Sequence, residues 1–162
     1  MSAPAGLARL NGLEADMAAA ELLACCGSSA WARALAACRP FAGEEALVAA
    51  AERIWWDLAP EDWRQAFAAH PRIGERATGW AEAEQSGARE AATPLLAELA
   101  AANRAYEARF GHVFLICATG KSAGEILGAL RARLGNEPGA ELRIAAAEQA
   151  KITRLRLARL LA

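Results

Sequence analysis

Only one stretch of this chain has the composition of a β-strand, and it has nothing to pair with. His112-Val113-Phe114-Leu115-Ile116-Cys117-Ala118 is apolar and partly β-branched, bounded by Gly111 and by Thr119-Gly120. A lone strand cannot satisfy its own backbone N–H and C=O groups. Elsewhere alanine, leucine, glutamate and arginine dominate, and β-branched residues are scarce, which favours helix. The chain therefore reads as all-α. The 112–118 stretch is either a buried extended or partly helical segment whose amides and carbonyls face a ligand, or simply a central piece of core.

Punctuation and periodicity divide the rest into helices. Glu14 to about Ala24 is stopped by Cys26-Gly27, and Ser28 or Ser29 caps a short helix over Ala30–Ala37 that ends at Arg39-Pro40. Gly43–Asp57 follows, with Leu47, Ala50, Ala51, Ile54 and Trp55 at helical spacing. Pro60 suits a first helical position, so Pro60–Ala69 is a helix that stops at His70. Trp80 to about Ala88 is short, whereas Thr93-Pro94 opens a long helix to Arg109. Ser122-Ala123-Gly124-Glu125 has capping-box form and starts a helix to about Leu134, closed by Gly135. Pro138–Leu161 is the last and longest. No repeat, linker or domain break interrupts them, so the expectation is a single domain over 1–162, a compact bundle of about eight helices.

Composition excludes several function classes. With 162 residues, 55% of them hydrophobic, and a formal charge of −1, the chain can build a real core but carries no field to recruit nucleic acid or an anionic membrane. Its apolar runs are short and broken by Glu or Arg, too short to span a bilayer. The N-terminal Met1-Ser2-Ala3-Pro4-Ala5-Gly6 has no basic region before an apolar one, and Leu160-Leu161-Ala162 is not a peroxisomal tail. Cys25, Cys26, Cys38 and Cys117 form no C-x-x-C pair, so they read as reduced apolar thiols in the core of a cytoplasmic protein. The tryptophans Trp31, Trp55, Trp56, Trp63 and Trp80 are scattered and read as core.

Three polar features stand out. In Ala69-His70-Pro71-Arg72-Ile73-Gly74-Glu75, the proline bars His70 from helix and holds an imidazole at a helix C-terminus, which favours positive charge. That suits an acid–base residue; the alternative is a solvated helix end. Glu84, in Glu82-Ala83-Glu84-Gln85-Ser86, lies one turn after Trp80, and a carboxylate beside apolar surface suits proton transfer. Its alternative is a solvated helix face. Ile152, Arg156 and Leu160 form one stripe of the last helix, where Arg156 either snorkels to water or grips an anion. Only His70 and His112 could join a metal site, and no cysteine stands at ligand spacing, so no metal is expected. Gly120-Lys121-Ser122 imitates a phosphate loop, but Leu115 stands where its first glycine is required.

Four blocks in order give a resemblance. They are Phe67-Ala68-Ala69-His70-Pro71-Arg72-Ile73-Gly74, then Glu84-Gln85, then Tyr106 to Gly111 with Phe114–Ala118 and Gly120-Lys121-Ser122, and finally Lys151 to Leu157. From about Trp31 to the C-terminus, the chain resembles the 2-oxo-4-hydroxy-4-carboxy-5-ureidoimidazoline (OHCU) decarboxylase family. That resemblance implies a helical bundle that acts without cofactor, commonly as a homodimer, in the last step of urate oxidation to allantoin. It implies His70 as catalytic acid–base residue and Glu84 as its carboxylate partner. Pro71, Ala81, Gln85, the Phe114, Leu115, Ile116, Cys117 and Ala118 backbone, and Arg156 would bind substrate. The partners implied are the small-molecule substrate and its product. Three departures are visible. Ala81 replaces a small hydroxyl residue, His112-Val113 replaces a Phe-Pro pair, and the stretch between His70 and Glu84 is shorter than in many relatives. The rival reading is a non-catalytic all-α interaction module; a metal hydrolase lacks the ligand clusters.

Overall fold

In a computed structural model, residues 4–74, 84–86 and 93–162 are described here. Among them are eight helices and no strand: α1 (Ala5–Gly12), α2 (Ala15–Leu23), α3 (Ser29–Ala37), α4 (Glu44–Asp57), α5 (Pro60–Ala68), α6 (Thr93–Phe110), α7 (Ala123–Arg133) and α8 (Pro138–Leu161). The chain divides into two compact units. One comprises Met1–Ala66 with Ala150–Ala162, and the other Phe67–Gln149, so α8 gives its first half to the second unit and its last turns to the first.

The first unit buries one face of each of its helices. Leu7, Leu10, Leu22, Trp31, Leu35 and Leu47 are fully enclosed. The indole N–H of Trp31 donates to the Ala51 carbonyl at 3.0 Å, and that of Trp63 to the Trp55 carbonyl at 2.8 Å, so neither ring is buried with an orphan donor. Arg39 closes one end by donating to the carbonyls of Ala36, Leu10 and Leu13. Asn11 and Phe41 exchange two hydrogen bonds between side chain and backbone. Gly6 lies so close to the chain's last turn that a Cβ there would sit 2.3 Å from the Leu161 carbonyl oxygen.

The sequence signals mark most boundaries well. Ser28 caps α3 by accepting from the Trp31 N–H, and Ser122 and Glu125 form the reciprocal capping box at α7. Helix α1 was not expected. Two glycines and an asparagine lower its propensity, and burial of Leu7 and Leu10 offsets that. Cys25 and Cys26 are core residues as expected, but Cys38 is exposed and Cys117 half-buried. Trp56 departs likewise, 42% exposed at the end of α4. Most of the helix expected over 80–88 lies outside the described residues, as do Trp80 and Ala81. No helix among the described residues is long and apolar enough to cross a membrane.

The second unit is organised around the strand-like stretch, which is neither strand nor helix. Phe114, Ile116 and Ala118 run through a core formed with Leu99 and Tyr106 of α6 and Ile126, Leu127 and Leu130 of α7. Because it pairs with no other strand, its backbone must find partners elsewhere.

Candidate active site

Helix α5 ends two residues before His70, where Pro71 bars further helix and the His70 N–H closes the turn onto the Phe67 carbonyl at 3.1 Å. The imidazole is half-buried, and its Nε2 lies 2.6 Å from Oε1 of Gln149 in α8. An amide oxygen only accepts, so Nε2 is the ring nitrogen that carries hydrogen in this arrangement. The turn beyond ends at Gly74, whose φ of +91° is one that side-chain-bearing residues rarely adopt. Its N–H donates to Oε1 of Gln85 at 3.2 Å, and the Asn103 amide donates to the Ile73 carbonyl at 3.0 Å. Glu84 and Gln85 are both buried, at 8% and 5% exposure. Thus the two motif blocks meet: Gln85 fastens the far end of the turn that carries His70.

The 114–118 segment is held by side chains rather than by another strand. The Leu115 carbonyl accepts from the Arg133 guanidinium at 2.7 Å, and the Cys117 N–H donates to Oε1 of Glu148 at 3.0 Å. The Ala118 carbonyl accepts from the Lys121 N–H at 2.9 Å. These three groups thus have partners within the chain, because a buried extended segment needs them. Between the two clamped residues lies buried Ile116, whose N–H and carbonyl find no hydrogen-bond partner among the described residues. Glu148 and Gln149 are neighbours on α8, so one turn of one helix holds both Cys117 and His70.

Arg133 is itself fixed by a buried network. It ion-pairs with Glu141, which also accepts from the Tyr106 hydroxyl and, at 3.1 Å, from Asn136. Its guanidinium stacks 4.5 Å over the Phe114 ring. Burial alone would raise the Glu141 pKa. Hydrogen bonds from Arg133, Tyr106 and Asn136, with the guanidinium charge, reverse this and hold the carboxyl below its ordinary range. Burial and the neighbouring Glu141 carboxylate push the Tyr106 phenol up.

Arg156 belongs to the other unit, where it is half-buried and donates to the Ala24 carbonyl at 3.2 Å. Pro71, Phe114 and Leu115 lie with His70 in the second unit. Ala81 lies outside the described residues. Among the described residues, no three histidine, cysteine, aspartate or glutamate side chains gather as a metal-ligand set.

Sequence reasoning missed Gln149, Glu148, Arg133 and Glu141. Gln149 had a signal: it precedes Ile152 by three and Arg156 by seven, and so shares their stripe. Arg133 and Glu141 had none, since a basic residue in a last helical turn and an acidic one in a first turn read as exposed dipole complements.

Comparison with known proteins agrees with this architecture. The family model for OHCU decarboxylase matches residues 11–158. The chain is 40% identical over 158 residues to the uric acid degradation bifunctional protein TTL of Arabidopsis thaliana, covering 86% of this chain and 46% of that protein. It is 36% identical over 118 residues to the 2-oxo-4-hydroxy-4-carboxy-5-ureidoimidazoline decarboxylase of Amia calva, covering 73% of this chain and 61% of that one. The chain thus spans about half of the first relative and somewhat more of the second. A crystal structure of an OHCU decarboxylase in the presence of (S)-allantoin superposes with a TM-score of 0.80 at 38% identity, over 87% of this chain and 96% of that one. The chain belongs to the OHCU decarboxylase family.

Proposed function

We propose that this chain, acting as one domain over 1–162, catalyses the cofactor-independent decarboxylation of OHCU to (S)-allantoin, the final step of urate oxidation. The observation that carries the reading is the hold on His70: a half-buried imidazole whose Nε2 is met by Gln149, on a turn whose far end Gln85 fastens; Glu84, next to Gln85 in sequence, is buried. The family match and the relative solved with (S)-allantoin support the choice of substrate.

The chemistry explains why the substrate can supply its own electron sink. The carbon bearing the carboxylate also carries a hydroxyl and adjoins a ring C=N. When the C–C bond to the carboxylate breaks, carbon dioxide leaves, the electron pair forms a C=C bond to the ureido-bearing carbon, and the former C=N nitrogen takes up a proton from solvent. The resulting enol-like species loses its hydroxyl proton to become the ring carbonyl. A proton delivered to one face of the ureido-bearing carbon then gives (S)-allantoin. His70 and Glu84 perform these two transfers as positioned acid and base. Pro71 and Gln85 shape the binding surface, and the family resemblance adds Ala81 to the substrate-binding residues. The Phe114, Leu115, Ile116, Cys117 and Ala118 segment offers backbone groups to the ring, and buried Ile116 is its best-placed donor and acceptor. Arg156 stabilises charge moving onto ring or ureido oxygens. It does not grip the leaving carboxylate, since holding a charge that must vanish favours the ground state. The family resemblance extends the reading to a cytoplasmic homodimer, which light scattering checks.

The test is stereochemical. Added to freshly made urate oxidation product, with and without a chelator, the protein should speed the appearance of (S)-allantoin seen by circular dichroism. An unaltered rate and a racemic product would leave the interaction-module reading in its place.

A further inference from the structure

A trans peptide bond is rigid and planar, with its carbonyl and its N–H pointing in opposite directions. The bonds on both sides of Ile116 are trans. The Ile116 carbonyl therefore points directly away from whatever holds the Cys117 N–H. One bond earlier, the Ile116 N–H points directly away from whatever holds the Leu115 carbonyl.

Both holders are known, and both are charged side chains. The Leu115 carbonyl accepts from Arg133 at 2.7 Å, and the Cys117 N–H donates to Oε1 of Glu148 at 3.0 Å. Each of these side chains is only 9% exposed. A carboxylate in the buried middle of α8 is costly to desolvate, and an apolar residue would fill the same place more cheaply. A neutral acceptor would also satisfy the Cys117 N–H. What the carboxylate adds is a stronger, charge-assisted hydrogen bond, which resists rotation of the peptide plane.

We propose that Glu148 is a positioning residue for the decarboxylation, acting through the Ile116–Cys117 peptide plane. By holding the Cys117 N–H it turns the Ile116 carbonyl toward an N–H of the substrate, while Arg133 fixes the neighbouring plane in the same way. This rests on the function proposed above, in which the 114–118 backbone receives the ring. Gln149, the next residue on α8, meets the imidazole, whereas Glu148 acts on a group that binds substrate. The two neighbours should therefore differ in kinetic signature. Loss of a substrate-binding contact raises KM more than it lowers kcat.

The experiment pairs kinetics with one isotope-selected signal. Isoleucine precedes cysteine only once in this chain, at Ile116-Cys117, so carbonyl-¹³C isoleucine with ¹⁵N cysteine gives a single carbonyl-to-amide cross-peak. In the full-length wild type that peak should move saturably as (S)-allantoin is added. In Glu148→Ala the Cys117 amide proton should move upfield as its hydrogen bond is lost, and (S)-allantoin should move the peak less. KM for freshly made substrate should rise about tenfold, with kcat within about threefold of wild type. Glu148→Gln, whose amide oxygen can accept the same N–H, should restore KM to within about threefold. A merely structural role would lower Tm and leave KM and the (S)-allantoin response as they are in wild type, which would overturn the proposal. A loss of kcat at unchanged KM would overturn it too, since it would place Glu148 with Gln149 in support of His70. So would Glu148→Gln being as damaging as Glu148→Ala, or a wild-type peak indifferent to (S)-allantoin. Should Glu148→Ala fail to fold, Glu148→Asp, which retracts the acceptor by one methylene, decides by the same division between KM and kcat. A wild type that forms no (S)-allantoin would remove the proposed function and this inference together, whereas an active wild type with unaltered KM in the variants removes this inference alone.

Discussion

Gln149 presents its amide oxygen 2.6 Å from Nε2 of His70, although 79 residues separate them along the chain. The contact selects the tautomer with hydrogen on Nε2 and makes Nδ1 the nitrogen that takes up a proton in the neutral ring. The preceding residue, Glu148, grips the Cys117 N–H, so a single helical turn orients the imidazole and the extended segment together.

On the proposed function, Gln149 is a positioning residue. Gln149→Leu should lower kcat by roughly tenfold with a smaller change in KM, as expected when a group acts through orientation rather than substrate affinity. Gln149→Glu should recover part of the rate and move the pH–rate profile to higher pH, because a carboxylate favours the protonated ring. Steady-state kinetics across pH measure both, and a purely structural role would move neither profile.

The Arg133–Glu141 pair anchors the extended segment through the Leu115 carbonyl. Replacing Arg133 by Met leaves a buried carboxylate without its cation and should cost about 3–5 kcal/mol in chemical denaturation. The pH dependence follows from the lowered Glu141 pKa. Its stabilising contribution is complete above the ordinary value of 4.5 and is lost as pH falls through the lower folded-state value. Glu141→Gln should therefore lower stability at neutral pH and flatten the acid limb of the stability curve.

At the chain's first helix, Gly6→Ala should be destabilising. A methyl group 2.3 Å from the Leu161 carbonyl oxygen cannot be accommodated without moving backbone. The expected loss is about 1–3 kcal/mol, the usual cost of overpacking, read as a fall in Tm. Gly12→Ala, with open space around it, is the control and should be neutral or slightly stabilising.

The four cysteines should label in a definite order. Burial pushes the Cys25 and Cys26 thiols up to about 12, so both should resist a thiol reagent at neutral pH in the folded protein. Exposed Cys38 should react first and half-buried Cys117 more slowly. Mass spectrometry of Cys38→Ser should show the fast adduct gone and the others unchanged.

Much of this is legible in the sequence, and the gaps have physical causes. The capping residues Ser28 and Ser122 and the stop at His70-Pro71 are local chemistry, written in neighbouring letters. That 112–118 departs from the helical composition of the rest is visible in the sequence, but whether it is extended or partly helical is not. Nor is what holds that segment. Arg133 and Glu141 look like ordinary helix-end charges until the fold buries them against Tyr106 and Phe114. The partner of His70 stood on the Arg156 stripe, but nothing local says which residue of a long helix faces an imidazole 79 positions away. Helix α1 was hidden for the opposite reason: its propensity is poor, and Leu7 and Leu10 owe their burial to tertiary packing alone.

The His70 imidazole is proposed to perform the acid–base chemistry of the decarboxylation. The most direct measurement compares wild type with His70→Ala in (S)-allantoin formation from fresh substrate, with far-ultraviolet circular dichroism confirming equal helicity. Loss of about 10²–10⁴ in rate, with the helices intact, is the expected result for a general acid–base residue. A folded His70→Ala protein that still forms (S)-allantoin within about threefold of the wild-type rate would contradict it.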